Sequence, residues 1–210
     1  MRSKDPAFIA AFTLIAFTIL TGFGRSEDIA QPSWIKPGAT IIYYGSLTIG
    51  EEGVLEATVK WSVKNLDADS IELEAVIESA NLRTPISRIF KVSIATGKLL
   101  SIDADSIDTG RFFLWLYPPP SIGDTVEIEG IPYRVSGLES VNASDRVWRC
   151  IVANSTMDYY NIRGVITRWY DTETGIQIKV YMDLSFMYLF KGENTTSSAK
   201  ADLILLSASL

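Results

Sequence analysis

The chain has 210 residues, a formal net charge of −6, one cysteine and no histidine. This length supports one sizeable hydrophobic core and gives no case for a second domain. The lack of histidine excludes imidazole-based triads and zinc sites, and a single cysteine excludes an intramolecular disulfide and a cysteine metal cluster. A pI of about 4.8 argues against a nucleic-acid partner held by its phosphates.

The N-terminus carries an uncharged apolar run at residues 7–23, preceded by Arg2 and Lys4. A basic flank before such a run is typical of a secretory signal peptide or a signal anchor. As a helix the run is roughly 25 Å long, shorter than a ~30 Å bilayer core yet longer than most signal-peptide cores. We expect residues 1–26 to be a signal peptide, or an anchor to the outer face of the cytoplasmic membrane if uncleaved. Residues 27–210 then form a single extracytoplasmic β domain.

The rest of the sequence predicts β-strands. Apolar and polar side chains alternate strictly over residues 55–63, and the alternation resumes over residues 71–77 after a polar turn at 65–69. A period of two is typical of a strand with one buried face, so these runs predict an antiparallel hairpin. Further strands are predicted at residues 41–49, 88–94, 112–117, 125–129, 133–136, 147–153, 161–170, 176–186 and 203–207.

No segment after residue 30 sustains the apolar spacing of an α-helix, and one helical turn is the most that residues 103–110 predict. Short strands at regular spacing predict an all-β fold of mainly antiparallel strands. Because the hairpin strands are long, we favour one large curved sheet, a half-barrel, over a sandwich. The N-terminal hydrophobic helix precedes it.

Candidate catalytic and metal-binding residues are few. Two polar runs, N-x-D-x-D at 65–69 and D-x-D-x-x-D at 103–108, contain oxygen ligands of the kind that Ca²⁺ prefers. Neither has the spacing of a calcium loop, so turn-forming residues are the favoured interpretation. Cys150 shares the parity of Trp148 and Val152, and is predicted to be a buried apolar residue. We therefore predict no catalytic residue, no metal and no cofactor.

Aromatic residues are concentrated in the predicted strands. Most are expected to fill the core. The alternative is that the concave face of the sheet stays partly open and forms an apolar cradle for a lipid tail. The candidate lining residues are Trp61, Trp115, Trp148 and Trp169. Three N-x-S/T sequons, at Asn142, Asn154 and Asn194, are candidate glycosylation sites in an exported chain.

Four short motifs occur in a fixed order: W-x-K-P-G at 34–38, G-D-x-V at 123–126, Y-x-V at 133–135 and W-Y-D-x-x-T-G at 169–175. This order resembles a group of exported archaeal envelope proteins of unassigned activity. The last motif is similar to a hairpin in half-barrel folds such as the bacterial lipoprotein carriers. The resemblance implies that Asp171 accepts the turn amides and that Gly175 adopts the left-handed conformation. It carries no catalytic residues.

Three functional hypotheses follow. The leading one is a non-enzymatic, exported or membrane-anchored envelope protein that binds a lipid, another apolar ligand or an envelope protein partner. The second is a surface filament or assembly subunit whose C-terminal strand, in residues 201–210, completes the sheet of a neighbour. The third is a carboxylate- or Ca-dependent hydrolase, for which the acidic runs are the support.

Overall fold

The computed structural model describes residues 32–50, 53–106, 110–159, 161–190 and 193–209. The expected signal segment at 1–26 and its hydrophobic helix lie outside these residues. No helix within the described ranges has the length and hydropathy to span a bilayer. The strands are β1 (Thr40–Ile49), β2 (Val54–Leu66), β3 (Ser70–Glu78), β4 (Ile86–Ser93), β5 (Leu99–Ile102), β6 (Asp105–Ser106), β7 (Thr125–Ile128), β8 (Ile131–Ala143), β9 (Arg146–Tyr159), β10 (Ile162–Asp171), β11 (Gln177–Phe190) and β12 (Glu193–Ser209).

All twelve described strands belong to one antiparallel sheet, in the order β6-β5-β4-β3-β2-β1-β12-β11-β10-β9-β8-β7. The chain starts at the centre with β1 and reaches one edge at β6. It then crosses to the opposite edge at β7 and returns to the centre, where β12 pairs with β1. Because β8 also contacts β11 and β12, the sheet curves back on itself. The prediction of an all-β fold built on one curved sheet is confirmed.

The β2–β3 hairpin shows how the sequence pattern builds the curved sheet. Val59 pairs with Ile77 and Trp61 with Ala75, as the matched alternation predicts. These four side chains are buried on the concave face, and the intervening polar side chains lie on the other face. A one-residue slip would bring the polar set inward, so the alternation fixes the register as well as the strands.

Residues 110–120, here called the strap, cross the concave face between β6 and β7. Phe112, Leu114 and Leu116 of the strap are buried. The Phe112 amide donates to the Gly97 carbonyl at 2.7 Å, and the Leu116 amide donates to the Gly175 carbonyl at 2.8 Å. The strap therefore connects the two halves of the sheet across its inner surface.

The predicted strand at 112–117 is wrong. Around it the chain forms isolated bridges, from Arg111 to Lys98 and from Trp115 to Ile176, in place of a ladder. This segment is apolar because it packs against the face of the sheet. Burial of that kind does not require the segment to pair with a strand. The predicted helical turn is also wrong over the described residues 103–106, where Asp103 and Ala104 form a turn with positive φ.

The core of the concave face is aromatic. The Trp61 ring lies 5.0 Å from Phe90 and 5.6 Å from both Phe112 and Phe113, measured between ring centroids. Such tilted and edge-on pairs each contribute about 0.5–1.5 kcal/mol beyond the burial of their area. These contacts of Trp61 with its neighbours pack the strap against β2 and β4.

Candidate functional site

The concave face contains a cavity of about 110 Å³ beside the strap. Strands β1 to β4 line one side of this concave cavity, β10 to β12 line the other, and Phe113 of the strap contributes one wall. Most of the lining is apolar. The apolar side chains are those of Leu47, Ala57, Val59, Trp61, Ala75, Ile77, Ile86, Phe90, Phe113, Val180, Met182, Ala201 and Leu203.

Small residues at inward positions leave this space open. Ala57 and Ala75 occupy positions where the strand alternation points a side chain into the cavity. Gly45 lies at the central β1–β12 pair, where a Cβ would come 2.8 Å from the Leu203 Cα. A larger residue at Gly45 would push the two strands apart, so glycine permits their close approach.

A buried polar cluster forms one part of the lining. The Arg168 guanidinium donates to the Tyr133 hydroxyl at 3.1 Å, to Gln177 Oε1 at 2.8 Å and to Glu129 Oε2 at 3.0 Å. The side chains of Arg168 and Glu129 are 9% and 14% exposed. Tyr43 donates its hydroxyl to the Gln177 carbonyl at 2.6 Å. Arg168, Gln177 and Tyr43 all line the cavity, so hydrogen-bonding groups interrupt its apolar wall.

The electrostatics of this cluster are set by burial. Burial raises the pKa of Glu129 to about 7, although the Arg168 charge acts in the opposite direction. Burial also lowers the pKa of Arg168, but Tyr133, Tyr170 and Glu129 more than offset this, so the guanidinium stays charged. A positive charge is therefore permanent at the cavity wall, whereas its carboxylate partner titrates near neutral pH.

The four tryptophans predicted as a cradle lie in different places. Trp61 lines the cavity. Trp115 lies on the strap, with its ring centroid 6.1 Å from Trp34. Trp148 is buried and donates to the Ala143 carbonyl at 2.9 Å. Trp169 alternates with Arg168, so it lies on the opposite face of the sheet, and it donates to Glu139 at 2.8 Å.

The structure therefore does not bring the four tryptophans together around the cavity. Trp61 alone of this set is a lining residue. A ligand-binding role for any of them stays a prediction.

Sequence reasoning missed the polar cluster. In β10, Ile166, Arg168 and Tyr170 share the buried parity, so a charged residue stands where the pattern calls for an apolar one. That mismatch is a signal that could have identified Arg168. Its partner Glu129 is 39 residues away in the chain, and no local pattern connects the two.

The W-Y-D-x-x-T-G motif forms the turn that the resemblance implies. Asp171 Oδ2 accepts from the Thr174 amide at 2.8 Å and from the Thr174 hydroxyl at 2.7 Å. Gly175 has φ of 70°, in the left-handed region. The same turn also binds the strap, because the Gly175 carbonyl accepts from the Leu116 amide. The Trp34 indole N–H donates to the Thr174 carbonyl of this turn at 2.9 Å.

The described residues of the two acidic runs form hydrogen bonds and an ion pair within the fold. Asp103 accepts from the Ile89 amide at 2.8 Å and forms an ion pair with Arg88 at 3.2 Å. Asn65 and Asp67 bond to each other at 3.3 Å. No group of three or more potential metal-ligating side chains occurs among the described residues, and Asp108 is outside them.

The candidate glycosylation sites differ in setting. Asn142 is exposed on β8, and Asn154 on β9 donates to the Ser136 hydroxyl at 2.7 Å. The side chain of Asn194 lies outside the described residues. Glycosylation of all three stays a prediction.

Comparisons with known proteins assign no family to this chain. No protein-family model and no curated protein matches the chain. A candidate lipoprotein from Parabacteroides distasonis aligns with a TM-score of 0.46 and 12% identity, over 88% of this chain and 100% of its own. A hypothetical protein from Chlamydia trachomatis aligns with a TM-score of 0.36 and 10% identity, over 80% and 87% of the two chains. With TM-scores below 0.5, neither alignment carries an argument about this chain.

Proposed function

We propose that this chain is a non-enzymatic, exported envelope protein that binds a lipid or another apolar ligand in the concave cavity. The observation that supports binding is the cavity itself, about 110 Å³ of apolar space in an otherwise packed sheet face. Protein interiors normally leave few voids larger than a water molecule. A space that the chain's own side chains could fill, but do not, is what a ligand site requires.

The lining favours hydrocarbon over water. One water needs roughly 10–15 Å³ of such space, so the cavity could hold several. Ordered water also needs two to four polar partners, and the side chains of Leu47, Ala57, Val59, Ala75 and Ile77 offer none. A hydrocarbon chain would gain about 0.8 kcal/mol for each methylene that it buries there. The remainder of a longer chain would lie at the cavity mouth.

Two further observations bear on the alternatives. β12 pairs with β11 over residues 193–204 and with β1 over residues 199–209, so the described part of the C-terminal run already belongs to this chain's own sheet. Asp103, the first residue of the longer acidic run, is held by β4 through Ile89 and Arg88. Export rests on the basic flank and apolar run at residues 2–23.

Titration with the apolar fluorophore N-phenyl-1-naphthylamine tests the binding site. Ala57→Phe would fill the cavity, and its matched control, Thr58→Phe, places the same ring on the opposite face of β2. We expect saturable fluorescence with the native protein and with Thr58→Phe, and its loss in Ala57→Phe. Ala75→Leu, a smaller filling change on β3, should weaken binding if Ala57→Phe does not fold. Equal binding by all four proteins, or none by the native protein, would contradict the proposal.

A further inference from the structure

The concave cavity combines a hydrocarbon wall with one buried cation, and this combination bears on the class of ligand. Two arginines line the cavity. Arg88 is half exposed and forms an ion pair with Asp103. Arg168 is buried, and its Glu129 partner is not among the lining residues. The buried charge that an incoming ligand meets is therefore positive.

Hydrogen-bond donors accompany this charge. A guanidinium has five N–H groups, and Arg168 uses three of them on Tyr133, Gln177 and Glu129. The Gln177 side-chain oxygen accepts from Arg168, so its amide nitrogen is left with two N–H groups, which have no partner among the described residues. A planar group with two acceptor oxygens and a negative charge matches such a set of donors.

We propose that the ligand of the cavity is a long-chain carboxylic acid, with its carboxylate on Arg168 and Gln177 and its alkyl chain along the apolar wall. This proposal rests on the proposed function, since it assigns the head group of the same ligand. A hydrocarbon without an acceptor oxygen would leave the Gln177 amide donors unmatched. A cationic amphiphile would place a like charge against Arg168.

Ligand binding at this site would be linked to the protonation of Glu129. An ionised Glu129 and a ligand carboxylate would share one guanidinium, and the two negative charges would repel each other. Protonation of Glu129 removes that repulsion and leaves the Arg168 charge for the ligand. Uptake of a fraction of one proton from solvent would therefore accompany binding at neutral pH.

The other ionisable groups around Glu129 do not reverse this sign. Tyr133 on β8 and Tyr170 on β10 face the cluster, and burial raises the pKa of each phenol, so both stay neutral. The Arg111 carbonyl on the strap accepts from the Glu129 amide, and the Arg111 guanidinium donates to the Tyr117 carbonyl. Although the Arg168 charge lowers it, the Glu129 pKa is still raised by burial to about 7.

Isothermal titration with dodecanoate and with 1-dodecanol, which have equal chain lengths, tests the head group. At about pH 6 we expect dodecanoate to bind at least about tenfold more tightly than dodecanol. Its affinity should fall as pH rises toward about 8, by at most about tenfold per pH unit, the limit for one linked proton. The dodecanol affinity should stay constant.

Two variants assign the effects to residues. Arg168→Met keeps the length of the side chain, and should abolish the preference for dodecanoate over dodecanol. Glu129→Gln should keep the preference and remove its pH dependence. If Arg168→Met does not fold, Gln177→Leu, which removes the amide donors and keeps Arg168, should reduce the preference for dodecanoate.

The outcomes separate the two proposals. Equal affinity for dodecanoate and dodecanol, or a preference unchanged in Arg168→Met or Gln177→Leu, would overturn the carboxylate assignment and leave apolar binding intact. Tight binding of dodecyl phosphate with no binding of dodecanoate would also overturn it. If the native protein binds neither the amphiphiles nor the fluorophore, the proposed function itself fails.

Discussion

The carbonyl oxygen of Leu116 lies 2.7 Å from the point that a Cβ on Gly175 would occupy. The Leu116 amide meanwhile donates to the Gly175 carbonyl at 2.8 Å. The strap is thus in direct backbone contact with the turn that ends the W-Y-D-x-x-T-G motif. The glycine of this motif serves both the conformation of the turn and the close approach of the strap.

Gly175→Ala should destabilise the protein by more than the cost of its left-handed backbone, which is about 1–2 kcal/mol for a residue with a side chain. The additional loss comes from displacing Leu116 of the strap. Gly38→Ala is the matched control, because Gly38 also has positive φ but no atom lies within 4 Å of its virtual Cβ. Urea unfolding of both variants measures the difference, and equal losses of stability would contradict the role of the contact.

Asp171→Ala should lower the free energy of unfolding by about 1–3 kcal/mol, because the turn amide and the hydroxyl of Thr174 lose their acceptor. Asp158→Ala is the control. Asp158 forms an exposed ion pair with Arg163, and such pairs contribute about 0–1 kcal/mol. Thermal unfolding followed by circular dichroism tests this. A loss of stability in Asp171→Ala no larger than that in Asp158→Ala would contradict the role of Asp171 in the turn.

Glu129 makes stability depend on pH in a defined direction. Its pKa in the folded state is about 7, above its ordinary value of 4.5 in the unfolded chain, so the folded state binds more protons between these values. The contribution of Glu129 is therefore full below about pH 4.5 and is lost as pH rises through about 7, with a slope of at most about 1.4 kcal/mol per pH unit.

Denaturant unfolding at several pH values checks this dependence. Glu129→Gln should have a flatter profile than the native protein between about pH 5 and pH 7. Glu139→Gln, which removes an exposed carboxylate that bonds to Trp169, is the control for the loss of a carboxylate. Parallel profiles for the native protein and Glu129→Gln would show that Glu129 titrates normally.

Cys150 should be unreactive in the folded protein. Its thiol is buried, and burial raises the pKa to about 12, with smaller contributions from Asp171 and Glu139. Attack on a disulfide reagent requires the thiolate. We expect Ellman's reagent to label Cys150 only at the rate of unfolding at pH 8, and at once in guanidinium chloride. Fast stoichiometric labelling of the native protein would refute this.

The β2–β3 hairpin could be predicted from the sequence because both strands keep a strict period of two. The same rule failed at residues 112–117, since periodicity and hydropathy indicate burial without indicating which surface buries the segment. β5 and β6 were missed because strands of four and two residues carry too little alternation. The start of β12 was missed because residues 194–198 are polar on both faces.

The candidate site was less predictable than the fold. Trp61 followed from its parity in β2. Arg168 did not, because arginine is usually exposed and its burial depends on Glu129 and Tyr133, which reach it from other strands. The cavity likewise depends on how far the sheet curves, a property that strand patterns do not specify.

The pairing of β1 with β12 has a mechanical consequence. Each half of the sheet is a meander of sequence neighbours, whereas this central pair joins Thr40 to Ser209 and Leu47 to Ala201. This pair closes the longest stretch of chain of any strand pair, and it is the line along which the two meanders meet. The concave cavity lies over that line, with Leu47 and Ala201 on its two sides. A bound ligand would contact both meanders at once, and would resist force that pulls them apart.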